Sequence, residues 1–340
     1  MERIVSLILA PLIKLWRKAK SLPSVRNVMY GIENADVFGS IEPHEYMLAD
    51  KVRVDLYHDA ITASVGPQDV VADLGTGSGI LSLLAARAGA KKVYAIEQTR
   101  MIELASKVCE ENGLHNVEFV RSHSRDFSPS GKVDIIIHEQ IGNYLIDEDM
   151  IRNVGDLRDR VLAPNGRIIP ARFDAYLEPF SFKRGREIPL IWEQQMHGIS
   201  FHSLKSWLLK HPEIKTMQPR RLVREDVHCL LTEPSAAYSI DLESVPSDFA
   251  PGLVKMRKLI TRDGQMDGFC QYFHAWLGTD SYIDTSPFTS DPHASRYHWH
   301  VEYFPTERTY LRAGDILHVE WLIPQCTSPS QWTVSWHVER

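Results

Sequence analysis

Two glutamates, Glu139 and Glu148, stand nine residues apart just after an apolar run typical of a buried strand, residues 133–137. A pair of carboxylates at the end of a strand can take the N–H donors of a guanidinium by forked hydrogen bonds. Gly142 and Asn143 lie between them and predict a turn that would aim both acids at one point. Two exposed loop acids are the alternative in a chain with 44 acidic residues.

A glycine-rich loop lies upstream of this pair, Asp73-Leu-Gly75-Thr-Gly77-Ser-Gly79, between a strand-like run and a helix-like run. Its glycines allow a sharp turn and let the backbone approach a ligand closely. Glu97 follows at the end of the next strand-like run, where an acid can accept hydrogen bonds from both hydroxyls of a ribose. The combination predicts a cofactor that contains adenosine.

The chemistry of the loop narrows the choice of cofactor. Its GxGxG spacing differs from the GxGxxG fingerprint of dinucleotide sites, and Asp73 would repel phosphates but suit an ammonium group. S-adenosyl-L-methionine carries a ribose and an α-amino group and has no phosphate, so the sequence favours a methyltransferase over a dehydrogenase. Arg53, on a preceding helix-like run, is a candidate for the cofactor carboxylate, with a solvated surface arginine as the alternative.

The elements that must position these residues follow two different patterns along the chain. Residues 46–64, 80–88 and 101–111 are helix-like, and they alternate with strand-like runs at 70–72, 93–96, 117–120 and 133–137, which predicts a doubly wound, Rossmann-like parallel sheet. After residue 170, strand-like runs at 227–231, 268–277, 298–304, 316–323 and 332–338 predict an antiparallel β-barrel or sandwich. We expect an N-terminal helix and mobile lead-in over 1–45, a cofactor domain over 46–169, and a β-barrel domain over 170–340 with a helical arm at about 188–225.

Composition excludes several classes. The net charge of −6 argues against nucleic-acid binding, and four widely spaced cysteines without a metal-ligand pattern predict no metal and a reducing, cytoplasmic location. Residues 1–20 are apolar and basic but too short in their apolar run to span a bilayer. We expect them to pack on the protein or a partner subunit, with peripheral membrane contact as the alternative.

In the second half, Tyr297-His298-Trp299 is a further candidate, because a tryptophan can wall the pocket of a flat cation and an acid can pin a histidine. A core aromatic with a satisfied histidine is the alternative. Taken with the segments above, it makes the chain resemble the class I protein arginine methyltransferases over about residues 30 to 340.

The resemblance rests on five segments. The glycine loop with Glu97 resembles that family's cofactor motif, residues 139–150 its double-glutamate loop, and residues 297–299 its Thr-His-Trp loop. Residues 44–53, HEYMLADKVR, resemble the helix over its cofactor, and residues 192–223 resemble its dimerisation arm.

The resemblance implies transfer of a methyl group from S-adenosylmethionine to a guanidine nitrogen, in a ring-shaped homodimer. Glu139 and Glu148 would clamp the guanidinium, and His298 with Asp50 would relay a proton, with the carboxylate raising the pKa of the histidine. The other implied roles are the cofactor carboxylate for Arg53, the ribose for Glu97, the adenine for Ser124, and the acceptor side of the site for Met47, Met150 and Trp299.

Several departures fall on what we interpret as the acceptor side. The family's Tyr-Phe-x-x-Tyr motif is represented by Tyr30 to Asn34, so that its second tyrosine is Asn34. The tryptophan that follows the first glutamate is Gln140, and the third loop begins with Tyr297. Arginine in a protein or peptide is the expected acceptor. Free arginine or another small guanidine is a second hypothesis, and a catalytically silent dimeric binding module is a third.

Overall fold

The computed structural model describes residues 36–211, 218–288 and 298–340. The predicted N-terminal helix and the residues Tyr30, Asn34 and Tyr297 lie outside these ranges.

A five-stranded parallel sheet forms the first half of the fold. Its strands are β1 (Val70–Leu74), β2 (Lys92–Glu97), β3 (Val117–Arg121), β4 (Val133–His138) and β5 (Leu162–Ile169), in the order β3-β2-β1-β4-β5. Strands β1, β2 and β4 are buried almost throughout, which is why they read as continuous apolar runs in the sequence. The chain order reverses between β1 and β4, and open α/β sheets bind their ligands in the crevice at that point.

Among the described residues, five helices of eight residues or more accompany this sheet: α1 (Ile41–Ala49), α2 (Lys51–Ser64), α3 (Ile80–Arg87), α4 (Met101–Glu111) and α5 (Met150–Val161). The single helix predicted over 46–64 is in fact two helices that meet at Asp50. The Asp50 side chain accepts a hydrogen bond from the backbone N–H of Arg53 at 3.2 Å, so it caps α2 at its N-terminus.

Antiparallel strands follow from residue 172. They are β6 (Arg172–Phe182), β7 (Gln195–Met196), β8 (Ile199–Ser200), β9 (Arg220–Leu222), β10 (Val227–Leu230), β11 (Ala236–Asp241), β12 (Gly252–Leu259), β13 (Gly264–Trp276), β14 (Tyr282–Asp284), β15 (Val301–Leu311), β16 (Ile316–Ile323) and β17 (Thr333–Glu339). A seven-stranded sheet is built on the path β10-β6-β13-β15-β9, and a three-stranded sheet has the order β12-β16-β17. The predicted fold class, a Rossmann-like domain followed by an antiparallel β domain, is confirmed.

The segment predicted as a helical arm is less helical than expected. In its described part it holds a 3-10 turn at Ile191–Glu193, the short β7-β8 hairpin and the five-residue helix α6 (Leu204–Leu208). The aromatic and basic residues of this segment gave a helix-like pattern in the sequence. Several apolar side chains of the segment are exposed, with Leu209 at 78%.

The apolar core is continuous between the two sheets. Buried residues of the parallel sheet, such as Ile137, belong to the same cluster as Phe173 of β6 and Trp321 of β16. This shared core holds the carboxyl ends of β1 and β4 in a fixed relation to β15 and the residues just before it. Within the described ranges, every helix is too short or too polar to cross a membrane.

Candidate active site

A pocket opens at the carboxyl ends of β1, β2 and β4, and α1 and α2 form its other walls. Eight of the residues singled out in the sequence line it: Met47, Arg53, Gly75, Gly77, Glu97, Ser124, Glu139 and Glu148. Asp73 and Gly79 flank the same glycine loop. The pocket therefore brings together residues that are distant in the sequence and that sequence reasoning linked only by inference.

The backbone of the glycine loop needs glycine. Gly75, Gly77 and Gly79 have φ angles of 77°, 51° and 90°, which L-residues rarely adopt. A Cβ atom on Gly77 would lie 2.6 Å from Cε1 of His44, a buried residue of α1. Glu97 fixes the loop from below, since its two oxygens accept hydrogen bonds from the N–H groups of Gly77 (3.2 Å) and Thr99 (2.7 Å). The loop is thus a rigid cradle closed on one side by α1.

Asp73 lies fully buried at the end of β1. Its Oδ2 accepts hydrogen bonds from the hydroxyls of Thr76 and Ser82, both at 2.7 Å, while its Oδ1 has no hydrogen-bond partner among the described residues. Burial raises the pKa of Asp73 to about 6. A carboxylate oxygen without a partner at this depth is suited to an ammonium group, as the sequence predicts.

Arg53 is buried and paired with a predicted clamp residue. Its Nη1 lies 2.9 Å from Oε1 of Glu139, and its Nη2 donates a hydrogen bond to the carbonyl of Met47 at 2.6 Å. At 4% exposure it is not the solvated surface arginine of the alternative interpretation. Glu139 therefore already holds one guanidinium within the pocket.

The two candidate clamp carboxylates have different electrostatic surroundings. Burial raises the pKa of Glu139, and the neighbouring Arg53 lowers it in part. Burial raises the pKa of Glu148 well above its ordinary range, and the like charges of Asp147 and Glu139 raise it further. Among the described residues, no cation compensates Glu148 as Arg53 compensates Glu139, and an incoming cation would favour its ionised form.

The segment that carries the acids folds back as predicted. The N–H of Leu145 donates to the carbonyl of Gly142 at 2.9 Å, and Leu145 takes a left-handed φ of 73°. The N–H of Tyr144 donates to Oδ1 of Asp147, also at 2.9 Å. These bonds close the turn and bring Glu148 back to the pocket that Glu139 lines.

Two hydrogen bonds tie this turn to the chain just before β15. Trp299 donates from Nε1 to the carbonyl of Ile141 at 2.5 Å, and the N–H of His300 donates to Oδ1 of Asn143 at 2.9 Å. Trp299 is 1% exposed and packs edge-on against Phe273, so it is a core aromatic, and its ring centroid lies 5.9 Å from the guanidinium carbon of Arg53. It supports the pocket from behind and is not among the lining residues.

The structure places His298 and Asp50 together but changes their expected electrostatics. Oδ2 of Asp50 accepts from the backbone N–H of His298 at 2.8 Å, while Oδ1 caps α2. Burial and the Arg53 charge lower the pKa of His298 to about 4, and the opposing effect of Asp50 is smaller. The expectation of a raised histidine pKa is therefore wrong, because desolvation outweighs the neighbouring carboxylate.

The two methionines are placed differently. Met47 lines the pocket from α1, whereas Met150 begins α5, is fully buried in the core and is not among the lining residues. Sequence reasoning gave no site role to Tyr57, which also lines the pocket and donates its hydroxyl to the carbonyl of His138 at 3.0 Å. Its spacing from Arg53 on α2, one helical turn, was the available signal.

Comparisons with known proteins agree with this geometry. A family model described as ribosomal protein L11 methyltransferase matches residues 56–170. Protein arginine N-methyltransferase 1 of Caenorhabditis elegans is 31% identical over 273 residues, which cover 78% of this chain and 75% of that protein. Protein arginine N-methyltransferase 6 of Danio rerio is 28% identical over 286 residues, or 82% and 80% of the two chains.

Solved structures show the same fold. The Trypanosoma brucei protein arginine methyltransferase 1 enzyme–prozyme heterotetrameric complex with AdoHcy aligns with a TM-score of 0.73 at 22% identity, covering 89% of this chain and 94% of that one. Arabidopsis thaliana protein arginine methyltransferase 10 aligns with a TM-score of 0.70 at 22% identity, covering 89% and 99%.

The fold and the pocket are those of a methyltransferase, and the chain belongs to the protein arginine N-methyltransferase family. At the level of the family, the predicted enzyme class and the predicted cofactor, S-adenosylmethionine, are confirmed.

Proposed function

We propose that this chain transfers a methyl group from S-adenosylmethionine to a guanidine nitrogen of arginine in a protein or peptide. The observation that carries the proposal is the ion pair of 2.9 Å in which Glu139 already holds the guanidinium of Arg53 inside the pocket. Glu148 lines the same pocket, and the part of the chain that the structure describes places no such cation beside it. Glu139 is thus paired with a guanidinium, and the guanidinium of an incoming substrate would neutralise Glu148.

The residues around the glycine loop fit the cofactor. Asp73 offers a buried oxygen without a described partner to the amino group, and Glu97 and Ser124, which both line the pocket, would contact the ribose and the adenine. When bound, the cofactor supplies an electrophilic methyl group. Arg53 would serve its carboxylate only by giving up or sharing its contact with Glu139.

The clamp acts by orientation and charge. Glu139 and Glu148 hold the guanidinium flat and concentrate electron density on one nitrogen, so that most of the rate gain comes from positioning and electrostatics. Glu148 is ionised when the guanidinium cation enters, because the cation offsets the like charges around it.

A proton leaves the guanidinium during or after transfer. Glu148 is the better acceptor, because burial and the like charges around it raise its pKa, whereas burial lowers the pKa of His298 to about 4. Asp50 and His298 then serve to hold the segment before β15 against α2 rather than to relay the proton.

A homodimer is part of this proposal. Apolar side chains between β6 and β9 are exposed: Ile188, Ile191, Met196, Ile199, Trp207 and Leu209. A concentration of exposed apolar side chains in one segment is typical of a protein–protein interface, and a second copy of this chain is the partner that we propose. The cytoplasmic location stays a prediction. Peripheral membrane contact through residues 1–20, the alternative given for that segment, also stays a prediction.

Methyl transfer from labelled S-adenosylmethionine tests the function. We expect label on an arginine-rich peptide and a mass gain at arginine. Label on free L-arginine alone would move the assignment to a small guanidine. Label on neither, with intact cofactor binding, would favour the silent binding module.

A further inference from the structure

Gln140 follows Glu139 just after the end of β4 and lines the pocket. A Cβ atom on Gly75 would meet Nε2 of Gln140 at 3.8 Å and no other atom within 4 Å outside its chain neighbours. The amide of Gln140 therefore faces Gly75, on the cofactor side of the pocket, although the sequence placed this residue on the acceptor side.

A chain of polar side chains fixes which end of the amide faces the pocket. Arg125 has only donors, and its Nε and Nη2 donate to Oδ1 of Asn153 at 3.2 and 2.7 Å. Nδ2 of Asn153 must then point the other way, and it donates to Oε1 of Gln140 at 3.1 Å. The oxygen of Gln140 is occupied, so its Nε2 donors are the group presented to the pocket.

The neighbours of that amide identify the part of the cofactor that it faces. Gly75 lies two residues beyond Asp73, whose oxygen without a partner among the described residues is the position proposed above for the ammonium group. In an amino acid the carboxylate shares one carbon with the ammonium, so a donor beside Gly75 faces the carboxylate. Both terminal nitrogens of Arg53, the other candidate for that carboxylate, are engaged with Glu139 and Met47.

We propose that Nε2 of Gln140 donates a hydrogen bond to the carboxylate of the bound S-adenosylmethionine, held in that orientation by Asn153 and Arg125. The inference rests on the proposed function in taking this cofactor as the ligand. It adds a cofactor-binding residue and two positioning residues to the site.

The test compares two cofactor forms by isothermal titration calorimetry. Gln140→Met keeps the length of the side chain and removes the donors. We expect this variant to bind S-adenosylmethionine about tenfold or more weakly, which is the usual effect of losing a hydrogen bond to a charged group. Decarboxylated S-adenosylmethionine, which lacks only the carboxylate, should bind wild type and variant equally. Gln68→Met, at an exposed position, is the matched control and should change neither affinity.

A second variant tests the orientation. Asn153→Asp removes the donor that holds Oε1 of Gln140 and keeps the acceptor for Arg125. The Gln140 amide should then turn and present its oxygen to the carboxylate, so the affinity for S-adenosylmethionine should fall. In the Gln140→Met background the same change should have no further effect.

Equal losses for both cofactor forms, or no loss in Gln140→Met, would overturn the inference. So would additive effects of the two substitutions. Failure of the wild-type chain to bind S-adenosylmethionine at all would instead refute the proposed function. Thermal unfolding of each variant, matched to wild type, separates these results from misfolding.

Discussion

Replacing Glu148 by glutamine should lower activity and raise stability at the same time. The change keeps the shape of the side chain and removes its charge. A hydrogen bond to a charged group contributes about 1.5–3 kcal/mol, so kcat/KM for an arginine peptide should fall about 10- to 150-fold. The affinity for S-adenosylmethionine should be the same in Glu148→Gln as in wild type, because Glu148 is proposed to contact the acceptor.

The stability effect follows from the raised pKa of Glu148. A carboxyl whose folded-state pKa exceeds its unfolded value binds more protons in the folded state, so its contribution to stability is present at low pH and is lost as pH rises through the folded pKa. The glutamine side chain is neutral at every pH, and Glu148→Gln should therefore be more stable than wild type at pH 8, with the difference shrinking towards pH 4.5.

Steady-state methyl transfer and thermal unfolding from pH 4.5 to 8 measure both effects on the same samples. Glu118→Gln is a suitable control, since Glu118 is half exposed on the outer strand β3 and pairs with Lys92 away from the pocket. Undiminished turnover in Glu148→Gln would refute the clamp. A melting temperature that falls below wild type at pH 8 would refute the electrostatic account of this site.

Three further results follow from the pocket. Gly77→Ala should lower the free energy of unfolding by about 1–2 kcal/mol because of its left-handed φ, and it should also weaken cofactor binding because its Cβ would meet His44. Gly113→Ala is the control, since φ there is +64° and the space is open, so denaturant melts should show only the backbone cost. Trp299→Phe leaves the Ile141 carbonyl without its donor, so we expect about 1–3 kcal/mol lower stability and reduced kcat, and an unchanged kcat would show that this bond does not position the acids. Calorimetric affinity for S-adenosylmethionine should fall as pH drops through about 6, where Asp73 protonates, and a flat profile would remove Asp73 from the ammonium site.

The sequence predicted four strands of the parallel sheet, and three of them, β1, β2 and β4, are buried on both faces and read as short, continuous apolar runs. It missed β5, several of whose positions are exposed. It did not predict β6, whose buried positions include polar residues such as Glu178, nor β12, which pairs with β16 at one edge and is largely exposed on one face. The break at Asp50 was missed because an N-cap inside an apolar-periodic run looks like one more helical residue. Local pattern suffices where burial is uniform and fails where a polar residue is satisfied by distant partners.

The residues of the candidate site were named from motif and resemblance, but their contacts were not. The pairing of Arg53 with Glu139 joins α2 to the end of β4, and no local signal in the sequence links them. The low pKa of His298 depends on burial created by the packed domain, so the nearby carboxylate alone gave the wrong direction. The orientation of Gln140 depends on Arg125 and Asn153, whose positions are set only by the fold.

The pocket is proposed to select a guanidinium by its paired acids, Glu139 and Glu148. The most direct measurement is methyl transfer from labelled S-adenosylmethionine to an arginine-rich peptide and to the same peptide with every arginine replaced by lysine. We predict label on the arginine peptide, loss of that label in Glu139→Gln and Glu148→Gln, and none on the lysine peptide. Equal labelling of both peptides, or full labelling by either variant, would contradict the account.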